Sequence, residues 1–79
     1  LDRRSRSFIT LTALVALGRL EELEMHVHAA LRNGLTTDEI KEVLLHSAIY
    51  CGVPATNAAF AVAQRALAEH DESPSPDRR

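Results

Sequence analysis

The chain has 79 residues, 46% of them hydrophobic, and a formal net charge of −2, so it is one small domain or a piece of one and not a disordered segment. It contains no long basic run and no apolar run of the roughly 18 residues a membrane span needs, which sets aside nucleic-acid binding and membrane insertion. Its one cysteine, Cys51, excludes an internal disulfide and fits a reducing compartment, so the expected location is the cytoplasm.

Four helices are legible, with no strand pattern competing. The first is expected over residues 2–17, with Asp2 as N-cap and Gly18 as the stop. Phe8, Ile9, Leu11, Leu14 and Val15 wrap most of its circumference, the mark of a helix buried in a core or between subunits. Arg3, Arg4 and Arg6 open it, either as a solvated helix end or as an anion contact.

The second helix is expected over residues 20–33, ended by Gly34, with Leu20, Leu23, Val27, Ala30 and Leu31 as one apolar stripe. The third opens at a capping box, Thr36 with Glu39, and runs to Cys51 before Gly52. Ile40, Val43 and Leu44 form one apolar face, while Leu45 and Ile49 form a second face that requires a partner. The fourth is expected from Pro54, suited to a first helical position, to about Glu69. Its alanine series, from Ala55 to Ala68, makes it thin enough for close approach by neighbours. Residues 71–79 hold two Ser-Pro pairs and two terminal arginines and are expected to form a disordered tail after a helical domain over residues 1–70. The short connections at Gly18 and at residues 33–35 predict hairpins between helices one and two and between two and three.

Three polar pairs stand four residues apart, hence on shared helix faces: Glu22 with His26, Glu24 with His28, and His46 with Tyr50. A carboxylate beside an imidazole suits a general acid or base, and spacing by itself does not choose among the pairs. At about 100° per residue, the two pairs on helix two flank opposite edges of its apolar stripe, so they serve different surfaces. For the same reason His26 and His28 cannot chelate one ion, and no metal site is expected.

The ordered series Arg3-Arg4-Ser5-Arg6-Ser7-Phe8-Ile9-Thr10-Leu11, Glu21-Glu22-Leu23-Glu24-Met25-His26-Val27-His28, Arg32-Asn33-Gly34-Leu35-Thr36 and Tyr50-Cys51-Gly52-Val53-Pro54 resembles the γ-carboxymuconolactone decarboxylase family over nearly all of the helical region. The resemblance implies an all-α, alkylhydroperoxidase-like bundle assembled as a homo-oligomer, a trimer or hexamer. Family members usually carry further helices before the arginine-rich opening, and some are fused to an enol-lactone hydrolase. The peroxidase branch of this fold carries a redox Cys-x-x-Cys at positions that here fall near Arg19 and Glu22, which disfavours a thiol peroxidase. A non-catalytic oligomerisation module is the other alternative.

What the resemblance implies chemically is the decarboxylation of γ-carboxymuconolactone to 3-oxoadipate enol-lactone and CO2, in the catabolism of protocatechuate. The substrate, a small lactone dicarboxylate, is its own electron sink, so no cofactor is required. Carried over by position, Glu22 and His26 become the catalytic pair. Arg6 is the first choice for holding a substrate carboxylate, with His28, His46 and Tyr50 as further substrate-binding candidates.

Overall fold

A computed structural model describes residues 1–72 of the chain. They form four helices, α1 (Arg3–Leu17), α2 (Leu20–Arg32), α3 (Thr37–Cys51) and α4 (Val53–Glu72). Local chemistry explains each boundary. The Asp2 carboxylate accepts the Ser5 N–H at 2.7 Å and caps α1, and this contact holds the Asp2 pKa below the usual carboxylate range. Gly18 and Gly34 take positive φ values of 70° and 97°, which turn the chain after α1 and α2. Leu35 N–H then reaches Ala30 O at 3.0 Å and Gly34 N–H reaches Leu31 O at 3.1 Å, the paired bonds of a Schellman end. The capping box of α3 forms as expected, with Thr36 Oγ1 accepting from Glu39 N–H and Glu39 Oε1 accepting from Thr36 N–H.

Two expectations are corrected at α4. The helix begins at Val53, one residue before Pro54, because the Gly52 carbonyl already accepts the Thr56 N–H at 3.2 Å. Pro54 therefore sits second, where a missing N–H is equally harmless. The helix also continues through Asp71 to Glu72, so the expected tail boundary at residue 71 lies inside it; residues 73–79 are outside the described residues.

The packing departs from the second expected hairpin. α1 packs on α2 and α3, and α4 packs on α2 and α3, whereas α2 and α3 meet scarcely at all. The cause lies in the faces. The α2 stripe of Leu23, Val27 and Ala30 is fully buried, and the buried alanines Ala59, Ala63 and Ala66 let α4 approach it closely. α3 is drawn instead onto α1, where Arg4 donates to the Gly34 carbonyl and to Glu39 Oε2, the latter at 2.6 Å, with its guanidinium 5.9 Å from the Phe8 ring. Leu11, Val15, Leu23, Val27, Ile40 and Leu44 are the largest fully buried side chains, two from each of the first three helices. Outside this core, Leu45, Ile49, Tyr50 and Val53 are exposed along the end of α3 and the start of α4. No described helix is long and apolar enough to cross a membrane.

Candidate functional site

α1 and α2 enclose a hollow of about 230 Å³ lined by Arg6, Ser7, Thr10, His26, Ala29 and Asn33. The α1 residues recur at helical spacing, which puts one cation and two hydroxyls on a single edge of that helix. His26 comes from the facing edge of α2 and is half-buried, while Arg6 is exposed at the rim. Asn33, the C-cap of α2, donates from Nδ2 to Ser7 Oγ at 3.0 Å and joins the two walls.

The six candidate residues separate into distinct places. Arg6 and His26 share the hollow. Glu22 is exposed in a groove at the α1–α2 turn with Gly18, Arg19, Leu20 and Glu21, and forms no ion pair with His26 among the described residues. His28 turns to the opposite edge of α2, its Nε2 3.6 Å from Glu69 Oε1 on α4. Glu24 on that edge lies 3.4 Å from Arg65 Nε, so Glu24 and His28 each engage α4 rather than one another. His46 and Tyr50 meet edge to face, with ring centroids 5.5 Å apart. His46 lines a larger hollow of about 380 Å³ between α1 and α3, with Phe8, Thr12, Glu42 and Val43.

Charge separates the two hollows. The one near His46 is lined by the carboxylate of Glu42 and by no arginine or lysine, so it is the less favourable of the two for an anion. The one near His26 offers a guanidinium, an imidazole, hydroxyls and an amide. Among the described residues Arg6 makes no ion pair, unlike Arg4, whose partner Glu39 is held below the ordinary carboxylate range by the Arg4 hydrogen bond and then by the Thr36 N–H. Among the described residues no three His, Cys, Asp or Glu side chains cluster as a metal site would require. Ser7, Thr10 and Asn33 were not singled out in the sequence. The recurrence of Arg3, Arg6, Ser7 and Thr10 along one face of α1 is the signal that marks two of them.

The model of the carboxymuconolactone decarboxylase family matches residues 1–65. The chain belongs to that family. It is 50% identical over 64 residues to 4-carboxymuconolactone decarboxylase of Acinetobacter baylyi, a match covering 81% of this chain and 48% of that protein. It is 40% identical over 67 residues to the nitrosuccinic acid decarboxylase of Metarhizium robertsii, covering 85% of this chain and 47% of the relative. A 15.0 kDa protein of Paracoccus denitrificans is 38% identical over 74 residues, covering 91% of this chain and 55% of its own length. The chain thus spans about half the length of the curated relatives it matches.

Proposed function

We propose that this chain carries the anion-binding and proton-transferring residues of a cofactor-free decarboxylase acting on γ-carboxymuconolactone, with 3-oxoadipate enol-lactone and CO2 as products in protocatechuate breakdown. The observation that carries the reading is the shared hollow of Arg6 and His26. The names of two relatives support it, since each is a decarboxylase. A carboxymuconolactone and a nitrosuccinic acid both bear two carboxyl groups beside an electron-withdrawing group. One carboxylate leaves, one persists, and the electron-withdrawing group receives the electron pair.

Arg6 holds the carboxylate that persists, a task suited to its planar fork. Cleavage of the bond to the leaving carboxylate sends its electron pair through the ring double bond onto the lactone carbonyl oxygen. The resulting dienolate takes a proton on carbon from His26. Glu22 lies one turn before His26 on α2, the spacing at which a carboxylate can orient an imidazole. The exposed patch of Leu45, Ile49, Tyr50 and Val53 supports assembly with further copies as a trimer or hexamer.

The test is CO2 release from the lactone by the intact protein. His26→Gln is expected to lower kcat by ~10²–10⁴, the usual scale for a lost general acid. Arg6→Gln is expected to raise KM, and His28→Gln, whose parent side chain faces α4, is expected to be mild. Parent-like turnover in His26→Gln beside collapse in His28→Gln or His46→Gln would move the site elsewhere.

A further inference from the structure

The reaction needs a donor at the carbonyl oxygen where charge develops, and neither Arg6 nor His26 is assigned to that oxygen. We propose that the Ser7 hydroxyl is this donor and that Asn33 is the residue that positions it. The inference rests on the reading of the hollow given above.

Ser7 is buried, with 8% of its surface exposed, and it lines the hollow beside Arg6 and His26. Hydroxyls within helices commonly donate back to the carbonyl four residues earlier. Thr12 does so to the Phe8 carbonyl at 3.0 Å, and Ser47 does so to the Val43 carbonyl at 2.8 Å. Ser7 differs. Its oxygen accepts from Asn33 Nδ2 at 3.0 Å, and its proton has no acceptor among the described residues. A buried hydroxyl that already accepts one hydrogen bond and whose proton has no acceptor is matched to an incoming oxygen.

Asn33 is fixed in turn. It caps α2 at a Schellman end, with its N–H on the Ala29 and Ala30 carbonyls, so its backbone cannot drift without unwinding that turn. The amide therefore sets the direction of the Ser7 hydroxyl before substrate arrives. Such preorganisation is what makes a donor effective at a developing oxyanion.

The two polar partners of the substrate then divide by charge. Arg6 is a cation and binds the carboxylate that is anionic throughout. Ser7 is neutral and gains most when the carbonyl oxygen becomes an enolate, so its contribution falls on kcat rather than on binding. Ser7 keeps its proton; it donates a hydrogen bond while the carbon–carbon pair moves to the oxygen. The carbonyl re-forms when His26 delivers its proton to carbon, and solvent reprotonates the imidazole.

The experiment compares Ser7→Ala, Ser7→Cys, Ser7→Thr and Asn33→Ala with His26→Gln in the intact protein. Steady-state CO2 release gives kcat and KM, and infrared spectra give the carbonyl stretch of the bound enol-lactone product. Ser7→Ala is expected to lower kcat by ~10²–10³, the scale for loss of one oxyanion donor, with KM little changed. Ser7→Thr restores most of the turnover because it returns a hydroxyl. Ser7→Cys keeps the shape, supplies a weak donor and falls near Ser7→Ala, which decides the matter should the alanine variant not fold. Asn33→Ala gives an intermediate loss. The carbonyl band of bound product shifts to lower frequency in the parent and in His26→Gln, and the shift disappears in Ser7→Ala and Ser7→Cys. Parent kcat in Ser7→Ala or Ser7→Cys while His26→Gln collapses overturns the Ser7 assignment and leaves the hollow as the site. Parent kcat in His26→Gln as well overturns the reading of the hollow itself.

Discussion

Leu44 and Leu45 are neighbours on α3 with opposite fates: Leu44 is 0% exposed and Leu45 is 63% exposed. Truncating each to alanine therefore separates the core from the outer surface. Leu44→Ala removes three buried carbons. At about 0.8 kcal/mol each, the transfer loss is about 2.4 kcal/mol. The cavity left behind adds to this, and buried Leu→Ala changes span about 2–5 kcal/mol. A domain of this size has a total stability of about 4–12 kcal/mol at the usual ~0.05–0.15 kcal/mol per residue. A loss of 2.4 kcal/mol then lowers Tm by roughly 10 °C or more. Leu45→Ala is expected to leave the unfolding of the dilute protein within about 0.5 kcal/mol of the parent, as exposed positions do. If copies meet at that patch, it weakens their association instead, and Tm loses its dependence on protein concentration. The assays are circular dichroism melts over a range of concentrations and sedimentation velocity on the same samples. A Leu44→Ala melt matching the parent, or a Leu45→Ala chain that unfolds like Leu44→Ala at every concentration, would refute the burial pattern on which the helix faces were assigned.

Glu22→Gln is expected to lower turnover less than His26→Gln, since it removes orientation and not the proton carrier; equal losses in the CO2 assay would assign the two residues one inseparable role. The Glu39 pKa is depressed by Arg4, so its stabilisation is fully present at neutral pH and is lost as pH falls from the ordinary glutamate range through the depressed value. Arg4→Met is expected to flatten that acid limb in melts taken between neutral pH and about pH 3, and an unchanged pH dependence would refute the coupling. Gly34→Ala is expected to destabilise by about 1–3 kcal/mol in urea unfolding because the residue sits at φ 97°, a region alanine rarely occupies. Thr56 Oγ1 is buried without a hydrogen-bond partner among the described residues, so Thr56→Val is expected to stabilise by on the order of 1 kcal/mol in the same assay.

Local signals in the sequence anticipated local structure well. Gly18, Gly34, Asp2 and the Thr36–Glu39 box mark ends that the backbone bonds then realise. The divergence of His26 from His28 followed from helix geometry without knowledge of any partner. What each histidine faces did not follow, because Glu69 and Arg65 reach α2 from a helix far along the chain. The exchange of neighbours, with α3 on α1 and not on α2, was equally hidden. It depends on the thinness of α4 and on the reach of Arg4 across to Glu39, both long-range facts. Ser7 and Asn33 escaped notice because each is ordinary in its own window, a serine in a helix and an asparagine before a glycine. Their meaning lies in the contact between them.

The described walls of the Arg6–His26 hollow all come from one stretch of chain, between Arg6 and Asn33. Its chemistry is thus inherited as a single helical hairpin, while α3 and α4 act as the backing on which that hairpin is mounted. Substitutions on the outward side of α3, where Leu45, Ile49 and Tyr50 lie, leave every described lining side chain of the hollow untouched. A hairpin excised from this backing would expose Leu23, Val27 and Ala30, so a graft of this pocket onto another scaffold must bring a helix as slim as α4 to cover them.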